Sequence, residues 1–196
     1  MAEERKTDLV IESLFYPAFL GNMSYVAAEK LFRTPEFFDP TRSLMVIALL
    51  AHFVLDWVYS VTDDAPNAAR PTLKFLADAA IIVCVYVAMR LALAETGVWL
   101  ADPTAFFHQP AAWLIVAKAC AVVWEVAEEP SPSPATWSPD KLRAVSLDLV
   151  FGVVYAVLAC RILGDFGLTL GFALVVLADA GAYLYHDYEK RRAAGS

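Results

Sequence analysis

The chain has no P-loop, no HExxH, no GxSxG elbow and no dinucleotide-binding fingerprint, so the usual signatures of nucleotide, zinc-protease and acyl-transfer chemistry are missing. It also has no TVGYG-like filter and no regular ladder of arginines, which removes a potassium-type pore and a voltage sensor. Charge is scarce. Only 19% of the 196 residues are charged, where a soluble domain carries about a quarter. The three cysteines, Cys84, Cys120 and Cys160, form no CxxC and lie in apolar blocks; they read as small buried hydrophobes. His52 with Asp56 falls short of the further His or Cys ligands that a metal site wants. No metal and no cofactor is expected. A net charge of −7 leaves no clustered Lys/Arg surface for nucleic acid. The start, "MAEERKTD", is not followed by a short apolar core with a small-residue cleavage site, so no secretory signal is read there.

What the chain does have is apolar sequence. Hydrophobic residues make up 59% of it, and its mean hydropathy is +0.53. The charges fall mostly between long apolar blocks, as in a polytopic membrane protein. The expectation is an all-α fold, one transmembrane helical domain over 1–196 with six membrane-spanning helices. The blocks are 9–28, 43–61, 72–95, 110–127, 142–163 and 166–186, each near the ~20 residues needed to cross a bilayer. The first is the weakest, because it contains Glu12, Pro17 and Asn22. Pro17 and Gly21 would kink a spanning helix, so the alternative is five spans plus an interfacial N-terminal helix. The 129–140 stretch, rich in Pro and Ser, reads as an extended, semi-rigid cytoplasmic loop. Residues 188–196 read as a basic cytoplasmic tail, with "RRAAGS" expected to be disordered.

Basic residues set the orientation. With six spans and both termini cytoplasmic, Arg5, Lys6, Arg70, Lys74, Lys141, Arg143, Lys190, Arg191 and Arg192 fall inside, while Lys30, Arg33, Arg42 and Arg161 fall outside. Trp99 and Trp113 then lie near the outer interface, and Trp57, Trp124, Tyr183 and Tyr185 near the inner one, where amphipathic rings are favoured.

This frame places one acid per helix, Glu12, Asp56, Asp78, Glu125, Asp148 and Asp179, on the cytoplasmic half of the membrane. The helix dipole favours Glu12, Asp78 and Asp148 near helix N-termini. It disfavours Asp56, Glu125 and Asp179, each of which needs a proton, a cation, a basic partner or water. On the second helix, His52, Asp56, Tyr59 and Asp63 are spaced four, three and four and share a face. Lys118 and Glu125 share a face of the fourth helix but are separated by a rise of about 10 Å, so Lys118 is expected to meet an acid from another helix. Asp78, Tyr86 and Arg90 recur at similar intervals as Asp148, Tyr155 and Arg161, which hints at a repeated helical hairpin. Gly167 and Gly171 form a GxxxG match, and Ala178 and Ala182 repeat the spacing, a face suited to close helix packing within or between subunits.

The functional expectation is a small ion channel or transporter for a cation or proton, in the plasma or inner membrane and a homo-oligomer. Its polar pathway would draw on His52, Asp56, Tyr59, Asp78, Lys118, Glu125, Asp148 and Asp179. One alternative is a non-transporting accessory, sensor or scaffold subunit with a cytoplasmic protein partner. Another is an intramembrane enzyme acting on a lipid or isoprenoid, in which a carboxylic acid protonates the substrate.

Overall fold

A computed structural model of the chain describes residues 11–33, 40–62, 68–93, 106–131, 133–160 and 165–194. Among these residues there is no strand. Six α-helices run in chain order: α1 Tyr16–Arg33, α2 Pro40–Thr62, α3 Pro71–Ala92, α4 Pro110–Glu128, α5 Pro139–Ala159 and α6 Asp165–Ala194.

Proline starts four of them, Pro40, Pro71, Pro110 and Pro139. It fits there because the first helical N–H has no intrahelical partner and the fixed φ is already helical. At α5 the Ser138 hydroxyl also accepts from Lys141 N at 3.2 Å, a capping contact that satisfies one exposed donor. A π-helical turn, Ile11–Phe15, precedes α1. Pro17, which has no N–H to give, falls just past the change of register between the two.

The end of α4 is tied to the start of α3. Ala69 N and Arg70 N donate to Glu128 O and Ala127 O at 3.3 and 2.9 Å. The Arg70 guanidinium donates to Val126 O at 3.0 Å. These bonds occupy carbonyls that a helix C-terminus otherwise leaves without partners. Ion pairs continue around the same end, Lys74 with Glu128, Lys141 with Glu128 and Arg143 with Glu189. Consecutive helices there are antiparallel.

The helices close a ring in which α2 packs on α6, α6 on α5, α5 on α4, α4 on α3, and α3 on α2. Helix α1 lies against the α2–α3 seam, where it touches both. The ring has two unlike halves. At one end Met45, Leu49, Val85, Met89, Leu114, Leu158, Phe172 and Val176 form a continuous apolar core. Apart from Gln109, which precedes α4, the buried polar and charged residues of the described chain collect toward the middle and the other end.

The outer surface is the reverse of what water selects. Helix α5 buries Ala144, Asp148 and Tyr155 and exposes Leu149, Val150, Val153 and Val157. Helix α6 buries Asp179 and His186 and exposes Leu174, Leu177 and Leu184. Helices α3, α4 and α5 are each long and apolar enough to cross a membrane; α2 and α6 carry shorter apolar runs, Ser43–Val58 and Leu170–His186. The chain has the composition and lengths of a membrane protein.

Three local expectations change. The 129–140 stretch is extended at Glu129, Ser133, Trp137 and Ser138 but not throughout. It makes a 3-10 turn at Pro134–Thr136, held by Thr136 Oγ1 donating to Ser133 O and Trp137 Nε1 donating to Ser131 O, both at 2.9 Å. Helix α6 continues through Ala194, so most of the terminal sequence expected to be disordered is helical. Cys84 is buried, but Cys160 is exposed at the end of α5.

Candidate functional site

Toward the polar end, a cavity of about 60 Å³ is lined by residues from every helix. Helix α1 contributes Tyr16; α2 contributes His52 and Asp56; α3, Asp78; α4, Lys118, Trp124 and Glu125; α5, Asp148; and α6, Tyr183. The spacing that predicts a polar face on α2 is what carries His52 and Asp56 inward together. Glu12, Tyr59, Asp63 and Gly167 were also named from the sequence, but their side chains or placement lie outside the described residues, as do Trp99 and Arg161.

The deepest element is a buried ion pair. Lys118 Nζ lies 2.7 Å from Asp179 Oδ1 and 3.4 Å from Asp148 Oδ1. Residue exposures are 6% for Lys118, 0% for Asp179 and 1% for Asp148. Lys118 does meet acids from other helices rather than Glu125. Its ammonium also stands over the Tyr183 ring, 4.6 Å from the centroid, inside the range of a cation–π contact.

Phenols supply the other hydrogen bonds. Tyr155 donates to Asp179 Oδ2 at 2.9 Å, Tyr16 donates to Asp56 Oδ2 at 2.9 Å, and Tyr183 donates to Asp148 Oδ1. Each cross-helix phenol offsets part of the cost of burying a carboxylate. The periodic pattern of the chain contains no sign of these three tyrosines, because each bond depends on which helices are neighbours.

A second cluster lies nearer the end of the bundle. Lys141 bridges Glu125 and Glu128, and Lys74 pairs with Glu128 at 2.8 Å. Trp124 sits between the two lysines, whose ammonium groups lie 4.4 Å (Lys74) and 5.6 Å (Lys141) from its ring centroid. Trp124 and Tyr183, expected near the inner interface, both line the cavity. Trp113 faces a different partner and donates through Nε1 to Phe107 O at 2.8 Å.

The two halves of the suggested hairpin repeat do not correspond in role. Tyr86 donates to Asn22 at an exposed contact, whereas Tyr155 is fully buried on Asp179. On α6, Ala178 is exposed and Gly171 and Ala182 are half-buried, so this small-residue face is not consumed by packing within the chain.

Chemically, Asp148 and Asp179 flank the Lys118 ammonium, and Asp56 and His52 line the same cavity. The formal excess of negative charge requires bound protons, water or a cation. Among the described residues no group of three or more His, Cys, Asp or Glu side chains could hold a metal ion. Comparison with protein-family models, with curated proteins and with solved structures gives no match to this chain.

Proposed function

We propose that the chain is a small multi-pass membrane protein that passes a proton or a cation through the polar cavity. One observation carries this reading: carboxylates from four different helices, Asp56, Asp78, Glu125 and Asp148, line one buried space. Intramembrane acids are costly, and where they converge on a cavity they mark proton or ion pathways. The outward apolar faces of α5 and α6 support a lipid surroundings. In this reading all six helices span, both termini are cytoplasmic, and the cavity opens toward the cytoplasm. The apolar half of the ring is then the barrier that the transported species must cross, which calls for a second conformation. The exposed Ala178 with Gly171 and Ala182 offers a close-packing face to a second copy of the chain.

The test is reconstitution of the purified protein into liposomes with separate readouts of proton, sodium and potassium flux. Flux in the wild type that is lost in Asp56→Asn with Asp148→Asn is the expected result. Absence of any flux, or full flux in the double variant, sinks the reading.

A further inference from the structure

Two buried hydrogen-bonding atoms that belong to cavity-lining residues have no partner among the described residues. They are Trp124 Nε1, a donor, and Asp148 Oδ2, an acceptor. Both residues line the cavity, and they are 7% and 1% exposed. Leaving such an atom unmatched costs about 1–3 kcal/mol, and native structures match nearly all of them with protein or water. One donor and one acceptor on the same space ask for a ligand that both accepts and donates. A volume of about 60 Å³ has room for a few water molecules.

The remaining groups argue against a bare metal ion. A hard cation wants six or more oxygen ligands. Here four carboxylate oxygens already accept hydrogen bonds: Asp56 Oδ2 from Tyr16, Asp179 Oδ2 from Tyr155, Asp179 Oδ1 from Lys118, and Asp148 Oδ1 from Tyr183. The Lys118 ammonium, 3.4 Å from Asp148, repels a further cation. Carboxylates, phenols, an imidazole and an ammonium grouped around water are instead the parts of a proton relay.

Resting on the transport reading above, we infer that the cavity holds a water cluster, that the species passed is the proton, and that Asp148 Oδ2 is the atom that takes it up. Trp124 Nε1 donates to a water of the cluster and holds it in place. In the loading step a protonated water gives its proton to Asp148 Oδ2. The O–H bond of that water breaks with its electron pair remaining on the water oxygen, and a new O–H bond forms on the carboxyl. Asp148 becomes neutral while Lys118 keeps its charge and its contact with Asp179. The groups facing Asp148 are Lys118 and Glu125 from α4 and Tyr183 and Asp179 from α6. Across the cavity stand His52 and Asp56 from α2, Asp78 from α3 and Tyr16 from α1.

The experiment uses the full chain in liposomes with an internal pH dye, a potassium diffusion potential set by valinomycin, and sodium flux read in parallel. Proton uptake is expected in the wild type, with most of it lost in Asp148→Asn, a part retained in Asp148→Glu, and slower uptake in Trp124→Phe. Infrared difference spectra of the wild type are expected to show a carboxylic-acid C=O band that shifts in D₂O and is missing in Asp148→Asn. Sodium or potassium flux without proton flux overturns the proton assignment and leaves the transport reading standing. No flux of any ion overturns both. Unchanged proton flux in Asp148→Asn overturns Asp148 as the carrier. Should that variant fail to assemble, the wild-type spectrum decides: no carboxylic-acid band at any pH that supports uptake overturns the assignment.

Discussion

Lys118 Nζ and Asp179 Oδ1 lie 2.7 Å apart, both buried, and join α4 to α6 across the inner face of α5. Breaking one side of such a pair leaves a charge without compensation in a low-dielectric interior, at a cost of about 3–5 kcal/mol. Lys118→Met is therefore expected to lower stability in detergent by about that much, read by thermal or denaturant unfolding. The double variant with Asp179→Asn should recover part of the loss, because the stranded carboxylate is gone. Glu189→Gln, which removes only the exposed pair with Arg143, is the control and should leave the transition where it is.

Tyr155→Phe takes away the donor to Asp179 Oδ2 and leaves the ring packed in the core. The expected cost is about 1–3 kcal/mol, that of stranding one buried acceptor. Tyr86→Phe, at an exposed contact with Asn22, should cost clearly less in the same assay. Equal losses in the two variants would show that the buried phenol has no special part in holding the polar cluster.

Val153 projects outward on α5 and is 64% exposed. If lipid covers that face, Val153→Asp should reduce insertion and stability by about 2.5–3.5 kcal/mol, the cost of an Asp near a helix centre. The readout is the membrane-integrated fraction after alkaline extraction. A neutral outcome would mean that water or a partner protein covers the face.

Cysteine labelling reads the orientation. Cys160 is exposed and Cys84 is buried, so a maleimide should modify Cys160 in the native protein and reach Cys84 only after denaturation. With both termini cytoplasmic, a membrane-impermeant maleimide should label Cys160 in intact cells. In a background without native cysteines, Ser133→Cys should be labelled only after permeabilisation. The opposite pattern inverts the proposed topology.

Much of this architecture was legible in the chain because its causes are local. The starts at Pro71 and Pro110 follow from what proline lacks, and the inward pairing of His52 with Asp56 follows from a four-residue interval on a helix; Pro139, read as part of the preceding loop, opens α5 as well. Lys118 could be assigned a partner on another helix from the rise to Glu125 alone. The direction in which Trp124 and Tyr183 face was not legible, for a related reason. Depth along a helix can be read from position, but whether a ring faces lipid or the bundle depends on neighbours that periodicity does not name.

The sequence by itself determined that the chain is helical, rich in lipid-compatible surface and marked by an acid in each apolar block. Those properties depend on composition and on the 3.6-residue turn, which act within each helix. Only the tertiary structure decided that α2 closes on α6, that Tyr16, Tyr155 and Tyr183 satisfy acids on other helices, and that Trp124 and Asp148, each with an unmatched buried polar atom, line one cavity. Those relations depend on which faces meet after packing, a choice made by the summed contacts of all the helices and written in no single segment.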